Sequence, residues 1–169
     1  MNPTVHTLIV TVEDKPGVLN RVVSLFRRRN YNIESLTVGH TAEPGVSRMT
    51  VVIVADDDTV RRLEASLYKL VNVLYVEDLK NQPAVVRDLA LFKVRADQAN
   101  RAQVLQLCDV FRARVVDVGA EALIVEITGA PDKIDGLENV LEPFGIVEMV
   151  RTGAIAMTRG ADSKLVEAA

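Results

Sequence analysis

The chain has 169 residues, of which 49% are hydrophobic and 25% are charged, a composition typical of globular proteins and not of disordered ones. The formal net charge is -3 and there is no tryptophan, so neither attraction to phosphates nor stacking on bases favours a nucleic-acid partner. No apolar run approaches the ~18 residues of a membrane-spanning helix, no export signal is visible, and the single cysteine excludes an internal disulfide. These features predict a cytoplasmic protein of one or two small domains.

The first half of the chain switches repeatedly between strand-like and helix-like periods. Alternating apolar residues predict a strand over 5–12, and the 3.6-residue spacing of Val18, Val22 and Phe26 predicts a helix over 17–30.

Three consecutive acids at 56–58 are compatible with a metal site or with a helix start. They predict a capped helix start, because consecutive carboxylates cannot all converge on one metal ion. Two strands are predicted over 32–41 and 47–55, then a helix with Leu63, Leu67 and Leu70, then a strand over 72–79. This order, βαββαβ, is the ferredoxin-like pattern.

The same order repeats after a polar, proline-containing stretch. Strands are predicted over 87–96, 114–119, 121–129 and 145–159, with helices over 99–111 and 132–144. The predicted fold is therefore α+β, with two ferredoxin-like domains in tandem. The predicted limits are 1–80 for the first domain, 81–84 for the linker, 85–160 for the second domain and 161–169 for a flexible tail.

The familiar catalytic motifs are absent from the sequence, including G-x-S-x-G, the P-loop, H-E-x-x-H and G-x-G-x-x-G. Cys108 falls on the apolar face of a predicted helix, where a small buried hydrophobe is expected. His6 and His40 lie in or beside strands without an evident partner. We therefore expect no catalytic residue and no metal site. A small enzyme on a ferredoxin-like scaffold is a rival hypothesis, because active sites also assemble from distant residues.

The stretch DKPG (14–17) lies where the first strand ends and the first helix begins. A helix start leaves backbone N–H groups unpaired and carries the positive end of the dipole, so it attracts a carboxylate or a phosphate. Gly17 has no side chain to keep a ligand away, Pro16 stiffens the turn, and Asp14 repels phosphate but attracts an ammonium group. Both attractions together describe an amino acid, with Val18 and Leu19 as apolar wall. A capped turn without a ligand is the alternative.

Two groups of motifs resemble known families. The motif D-x-P-G-x-L (14–19), after a strand and within βαββαβ, resembles ACT domains, which are amino-acid-sensing regulatory modules. The words NYNIESLTVG (30–39) and SRMTVVI (47–53) resemble the small regulatory subunit of acetolactate synthase (acetohydroxyacid synthase). The resemblance extends over nearly the whole chain, including LYKLVNVLYVEDL (67–79), FRARVVDVG (111–119) and RTGAIAMTRG (151–160).

The resemblance implies a non-catalytic protein that activates a separate catalytic large subunit and confers feedback inhibition by valine in branched-chain amino-acid biosynthesis. It implies no cofactor in this chain, and thiamine diphosphate, Mg²⁺ and FAD in the catalytic partner. It implies a homodimer through the ACT domain, with no membrane or nucleic-acid partner. The effector site it implies takes residues from two chains: Asp14, Pro16, Gly17, Val18 and Leu19 from one, and Asn32 and Ile33 from the other.

Two departures from the family pattern bear on the ligand. Many family members carry asparagine where this chain has Asp14. An ionised aspartate accepts hydrogen bonds but donates none, so it can hold the ammonium group of a ligand but cannot donate to it. The preference of this chain among valine, leucine and isoleucine therefore stays open. The second half has no D-x-P-G, so we expect no amino-acid site there. A free-standing ACT-type sensor for another enzyme is the alternative function.

Overall fold

The computed structural model describes residues 3–160. Within them the chain forms two compact units. The first contains residues up to Val85 and takes up the chain again from Ala154, while the second contains Val86–Gly153. No helix in this part of the chain is long and apolar enough to cross a membrane.

The first unit has the ferredoxin-like order. Its elements are β1 (Thr4–Glu13), α1 (Val18–Arg28), β2 (Ser35–His40), β3 (Val46–Ala55), α2 (Asp57–Leu67) and β4 (Val73–Asp78). The strands form one antiparallel sheet in the order β2-β3-β1-β4, which places β2 at an edge. The two helices pack on one face because their apolar stripes meet alternate residues of the strands. Buried residues of this core include Leu8, Phe26, Met49, Ile53, Leu63 and Leu67.

The opposite face of this sheet is rich in threonine and is also buried. Strand register places Ile9 opposite Thr50 and Thr11 opposite Arg48, and directly opposed residues share a face. Ile9 is 1% exposed and Thr11 2%. The last described residues, 154–160, which we call the C-terminal strap, belong to this unit and contain the short strand β9 (Ile155–Thr158).

The second unit repeats the pattern. Its elements are β5 (Ala84–Arg95), α3 (Arg101–Phe111), β6 (Arg114–Val118), β7 (Ala122–Gly129), α4 (Pro131–Leu141) and β8 (Ile146–Arg151), with a 3-10 turn over Glu142–Phe144. The strand order β6-β7-β5-β8 matches that of the first sheet, and β9 pairs with β5 outside this path. The core includes Phe92, Val104, Cys108, Leu123, Ile134 and Leu137. The predicted fold of two ferredoxin-like modules is confirmed.

One predicted element is wrong. The closing strand predicted over 145–159 is two strands, β8 and β9, because Gly153 at φ 84° turns the chain between them. Residues 154–160 lie in the first compact unit, and the predicted limits of the second domain, 85–160, stay a prediction. The predicted linker 81–84 ends where β5 already begins, at Ala84. The predicted flexible tail, 161–169, lies outside the described residues.

Candidate functional site

The turn between β1 and α1 is open at the start of the helix. Gly17 is the N-cap residue, no side chain caps the helix there, and the first turn contains no acidic residue. The amides of Leu19 and Asn20, at the second and third helical positions, have no carbonyl within the helix to bond. They are available to an anion, and the helix dipole favours one.

Gly17 has a conformation that other residues adopt only with strain. Its φ is 82°, in the left-handed region, and a Cβ added there would meet no atom within 4 Å. The requirement for glycine at this position is therefore one of backbone conformation, and the space beside it is free. Asp14 and Pro16 on the same turn are exposed.

The turn is anchored on both sides by residues that the sequence did not suggest. Asn72, which is 8% exposed, donates through Nδ2 to Glu13 Oε2 at 2.5 Å and accepts through Oδ1 from Arg21 at 2.5 Å. The Glu13 amide also donates to the Asn72 carbonyl at 2.9 Å. Glu13 precedes the turn and Arg21 follows it in α1, so one buried asparagine holds both flanks. The hydrogen bond from Asn72, with help from Lys15, lowers the pKa of Glu13.

The hairpin between β2 and β3 supports the same turn. The Asp14 amide donates to the Gly45 carbonyl at 2.7 Å. His40, expected to have no evident partner, places Nδ1 3.4 Å from Asp14 Oδ2. Both side chains are exposed, so this contact contributes little to stability, but it places a titratable ring beside the carboxylate expected to hold an ammonium group.

The two residues predicted as the apolar wall of the site, Val18 and Leu19, differ in their exposure. Val18 is 4% exposed and packs in the core of the first unit, so its side chain does not face solvent at the turn. Leu19 is 42% exposed and lies beside Gly17 on the surface. Leu19 is thus the side chain placed to form an apolar wall, while Val18 holds the helix start on the sheet.

Asn32 and Ile33 lie at the other end of α1. Asn32 is exposed and donates to Glu34 Oε1 at 2.6 Å, whereas Ile33 packs against the core. They lie on a cleft of about 540 Å³. Its other lining residues are Val23, Phe26, Arg27, Asn30 and Tyr31. The lining combines the apolar side chains of Val23, Phe26 and Ile33 with the amides of the two asparagines and the guanidinium of Arg27.

Within one chain the two predicted parts of the effector site are separated by the length of α1. The helix has 11 residues, and at 1.5 Å per residue it is about 16 Å long. One chain therefore does not bring Gly17 and Asn32 together. That Asn32 and Ile33 reach the turn from a second chain stays a prediction.

The second unit provides an internal comparison for the turn. Between β5 and α3 the carboxylate of Asp97 accepts from the amides of Ala99 and Asn100, at 2.8 and 3.1 Å. The Arg101 guanidinium donates to the carbonyls of Gly119 and Ala120, both at 2.7 Å. These contacts engage Asp97 and the Nη2 atom of Arg101, whereas Arg101 Nε is buried without a hydrogen-bond partner among the described residues. The absence of an amino-acid site from the second unit stays a prediction.

Three other titratable groups that the sequence drew attention to lie within the packed structure or at a helix start. His6, which was expected to lack an evident partner, is 1% exposed and places Nδ1 2.6 Å from Asp78 Oδ2. Burial raises the pKa of the Cys108 thiol, which keeps it unreactive. Asp56 caps α2 by accepting from the Thr59 amide at 2.8 Å, as predicted for this acidic cluster. Over residues 3–160, no group of three or more His, Cys, Asp or Glu side chains is placed to hold a metal ion.

Two family models match the two halves of the chain. Residues 8–75 match the model described as an AHAS small subunit-like ACT domain. Residues 87–160 match the model described as the small subunit of acetolactate synthase. The fold and the open turn of the first unit thus define an ACT-type regulatory protein.

Relatives of known name match over nearly the full length. The acetolactate synthase small subunit of Mycolicibacterium smegmatis is 48% identical over 155 residues, which cover 92% of this chain and 91% of that one. The probable acetolactate synthase small subunit of Methanothermobacter thermautotrophicus is 44% identical, with 95% and 96% covered. The crystal structure of the acetolactate synthase small subunit from Thermotoga maritima is 39% identical, with a TM-score of 0.86 and coverage of 94% and 99%. The chain belongs to the family of acetolactate synthase small subunits.

Proposed function

We propose that this chain binds a branched-chain amino acid, valine foremost, and regulates the catalytic large subunit of an acetolactate synthase. The observation that carries the proposal is the uncapped, unobstructed start of α1 at Gly17, with the exposed carboxylate of Asp14 beside it. The helix start suits the carboxylate of an amino acid and Asp14 suits its ammonium group. The second half of the chain has no D-x-P-G motif, which supports a single effector site per chain.

The proposal includes a homodimer through the first unit. β2 is an edge of the first sheet, and an unpaired edge presents backbone groups that another strand can cover. Pairing of β2 with its copy would join two sheets into one and bring a second chain close to α1. Asn32 and Ile33 of that chain would then complete the site at Gly17.

In this proposal the large subunit carries out the reaction and holds thiamine diphosphate, Mg²⁺ and FAD. The role of this chain is to activate that subunit and to make its rate depend on valine. Membership of the small-subunit family supports this division of labour.

Two measurements test the proposal. Titration calorimetry of the purified chain with L-valine should show saturable heat, and D-valine, which places the ammonium and side chain differently, should bind more weakly. Mixing the chain with its large subunit should raise acetolactate formation from pyruvate, and valine should lower it again. Acetolactate formation by this chain alone, or a large subunit indifferent to its presence, would contradict the proposal.

A further inference from the structure

The C-terminal strap (154–160) is fixed to the first unit although it follows the whole of the second unit in sequence. Its short strand β9 pairs with β5, and three hydrogen bonds outside this pairing also hold it. They run from the Ala154 amide to Ser35 Oγ at 3.1 Å, from Arg48 Nη2 to the Ala156 carbonyl at 2.8 Å, and from the Arg159 amide to the Pro83 carbonyl at 2.8 Å.

The strap has an inner and an outer side. Ala154 and Ala156 are 5% and 7% exposed, whereas Ile155 and Met157 between and after them are 57% and 65% exposed. The strap therefore turns its small side chains inward, which lets its backbone approach Ser35 and Arg48. Burial lowers the pKa of Arg48, the nearby Glu77 carboxylate opposes this shift, and the Arg48 guanidinium donates to the Ala156 carbonyl.

Ser35 connects the strap to the candidate effector site. It is the first residue of β2 and follows Asn32 by three positions. The Glu34 amide donates to the Val52 carbonyl at 2.9 Å, so the chain is fixed to the sheet directly after Asn32 and Ile33. One short segment thus contains two residues proposed to contact the effector and the hydroxyl that accepts from the strap.

The residues just before the strap are fixed equally firmly in the second unit. Arg151 donates through Nε to Asp88 at 2.9 Å and through Nη1 to Asp135 at 2.7 Å. Asp88 is 5% exposed and also accepts from the Thr152 hydroxyl at 3.0 Å. Only Gly153 separates this network from Ala154. The strap is therefore joined through one residue to a firmly hydrogen-bonded part of the second unit, so a change in the position of the strap pulls directly on that part.

We propose that the strap transmits the state of the effector site to the second unit, with the Ser35 hydroxyl and the Arg48 guanidinium as its contacts. This inference rests on the proposed function. An effector that orders Asn32 and Ile33 also orders Ser35, which favours the seated strap. Without the effector the strap exchanges between seated and released states, and the second unit is less constrained.

Hydrogen exchange at individual amides tests the proposal directly on the full chain. Valine should slow exchange of the Ala154 and Arg159 amides by about tenfold, a change equivalent to about 1.4 kcal/mol. Ser35→Ala removes the acceptor, and Ala156→Leu places a larger side chain on the inner side. Ile155→Ala, on the outer side of the strap, is the matched control.

The two inner-side variants, Ser35→Ala and Ala156→Leu, should still bind valine in calorimetry. They should lose the valine-dependent slowing of exchange at the Ala154 amide. Valine should inhibit their complexes with the large subunit less than it inhibits the wild-type complex. The Ile155→Ala chain should behave as the wild type. Valine uptake by the wild type with unchanged exchange at Ala154, or full inhibition in both inner-side variants, would overturn this inference alone. Absence of valine uptake by the wild type would overturn the proposed function and this inference with it.

Discussion

The side-chain amide of Asn72 donates to the carboxylate of Glu13 at 2.5 Å, joining two residues that are 59 positions apart in the sequence. The same asparagine accepts from Arg21 at 2.5 Å, and so ties the end of β1 to the first helix across the turn that contains Gly17. The open helix start is therefore held in place by a buried side chain.

Replacement of Asn72 by alanine should loosen this turn. Each hydrogen bond lost from the buried amide costs about 1 kcal/mol, so the free energy of unfolding should fall by about 2 kcal/mol. Valine affinity should also fall, because the helix start is less well positioned. Urea denaturation and calorimetry measure the two effects. Asn81→Ala, at an exposed asparagine, is the control and should change neither. Full valine affinity in the Asn72→Ala chain would show that the turn holds its shape without this contact.

The same contact predicts a dependence of stability on pH. The hydrogen bond from Asn72 lowers the pKa of Glu13, so the folded protein binds this proton less tightly than the unfolded chain does. The resulting stability is present above the unfolded pKa of glutamate and is lost as pH falls through the folded value. Denaturation series across the acid range should show a smaller loss of stability for Asn72→Ala than for the wild type. Parallel curves would mean that Glu13 titrates independently of Asn72.

Two substitutions at Gly17 separate backbone strain from charge. Gly17→Ala should destabilise the chain by about 1–2 kcal/mol, because a Cβ is disfavoured at φ 82°, yet valine should still bind since the added methyl group meets no neighbour. Gly17→Asp should abolish binding, because it adds a negative charge where the ligand carboxylate should lie. Thermal denaturation with and without valine distinguishes the two variants. Equal valine-induced shifts in both would place the ligand elsewhere.

Asn32 should affect binding more than stability. Its side chain is exposed and its one hydrogen bond, to Glu34, is at the surface, so Asn32→His should change the free energy of unfolding by no more than about 0.5 kcal/mol. Valine affinity should decrease, because the amide that can both donate and accept is lost. Glu34→Gln preserves an acceptor for Asn32 and should bind valine normally. Undiminished affinity in the Asn32→His chain would remove this residue from the site.

The edge strand β2 should be the dimer contact. The Thr41 amide donates to the Val46 carbonyl of β3 at 3.1 Å, and bonding alternates along an antiparallel strand, so the Val38 amide points towards the open edge. Val38→Pro removes that donor and should yield monomers in sedimentation at micromolar concentration. Val38→Thr keeps the donor and the branched shape of the side chain, so it should remain dimeric. Dimers of the proline variant would assign the contact to another surface.

The helices and most strands could be predicted because the spacing of apolar residues that marks each of them lies within a short stretch of sequence. Val18, Val22 and Phe26 mark the buried face of α1 by their spacing alone, and the acids at 56–58 mark a helix start. The break between β8 and β9 was missed because the apolar run after Arg151 hides it. The Thr-Gly pair at 152–153 was the available signal, since glycine permits the positive φ found there.

The supports of the candidate site could not be predicted in the same way. The sequence predicts Asn72 as the first residue of a strand, and no residue near it in sequence indicates contact with Glu13 or Arg21. His6 and Asp78 are likewise partners only in three dimensions, 72 residues apart. Periodicity indicates which side of an element is buried, whereas contacts between polar groups depend on how separate elements come together.

The position of the strap at the end of the sequence has a consequence for the order of folding. Contacts among β1 to β4 can form once the chain up to Asp78 has been synthesised, but the bonds from Ser35 to Ala154 and from Arg48 to Ala156 span 119 and 108 residues. Closure of such long loops is entropically costly unless the intervening segment is already compact. The second unit, Val86–Gly153, therefore has to fold before the first can be completed. During synthesis on the ribosome, the first unit starts to fold before the second but completes its contacts after it. Until then the threonine-rich face of its sheet lacks the strap.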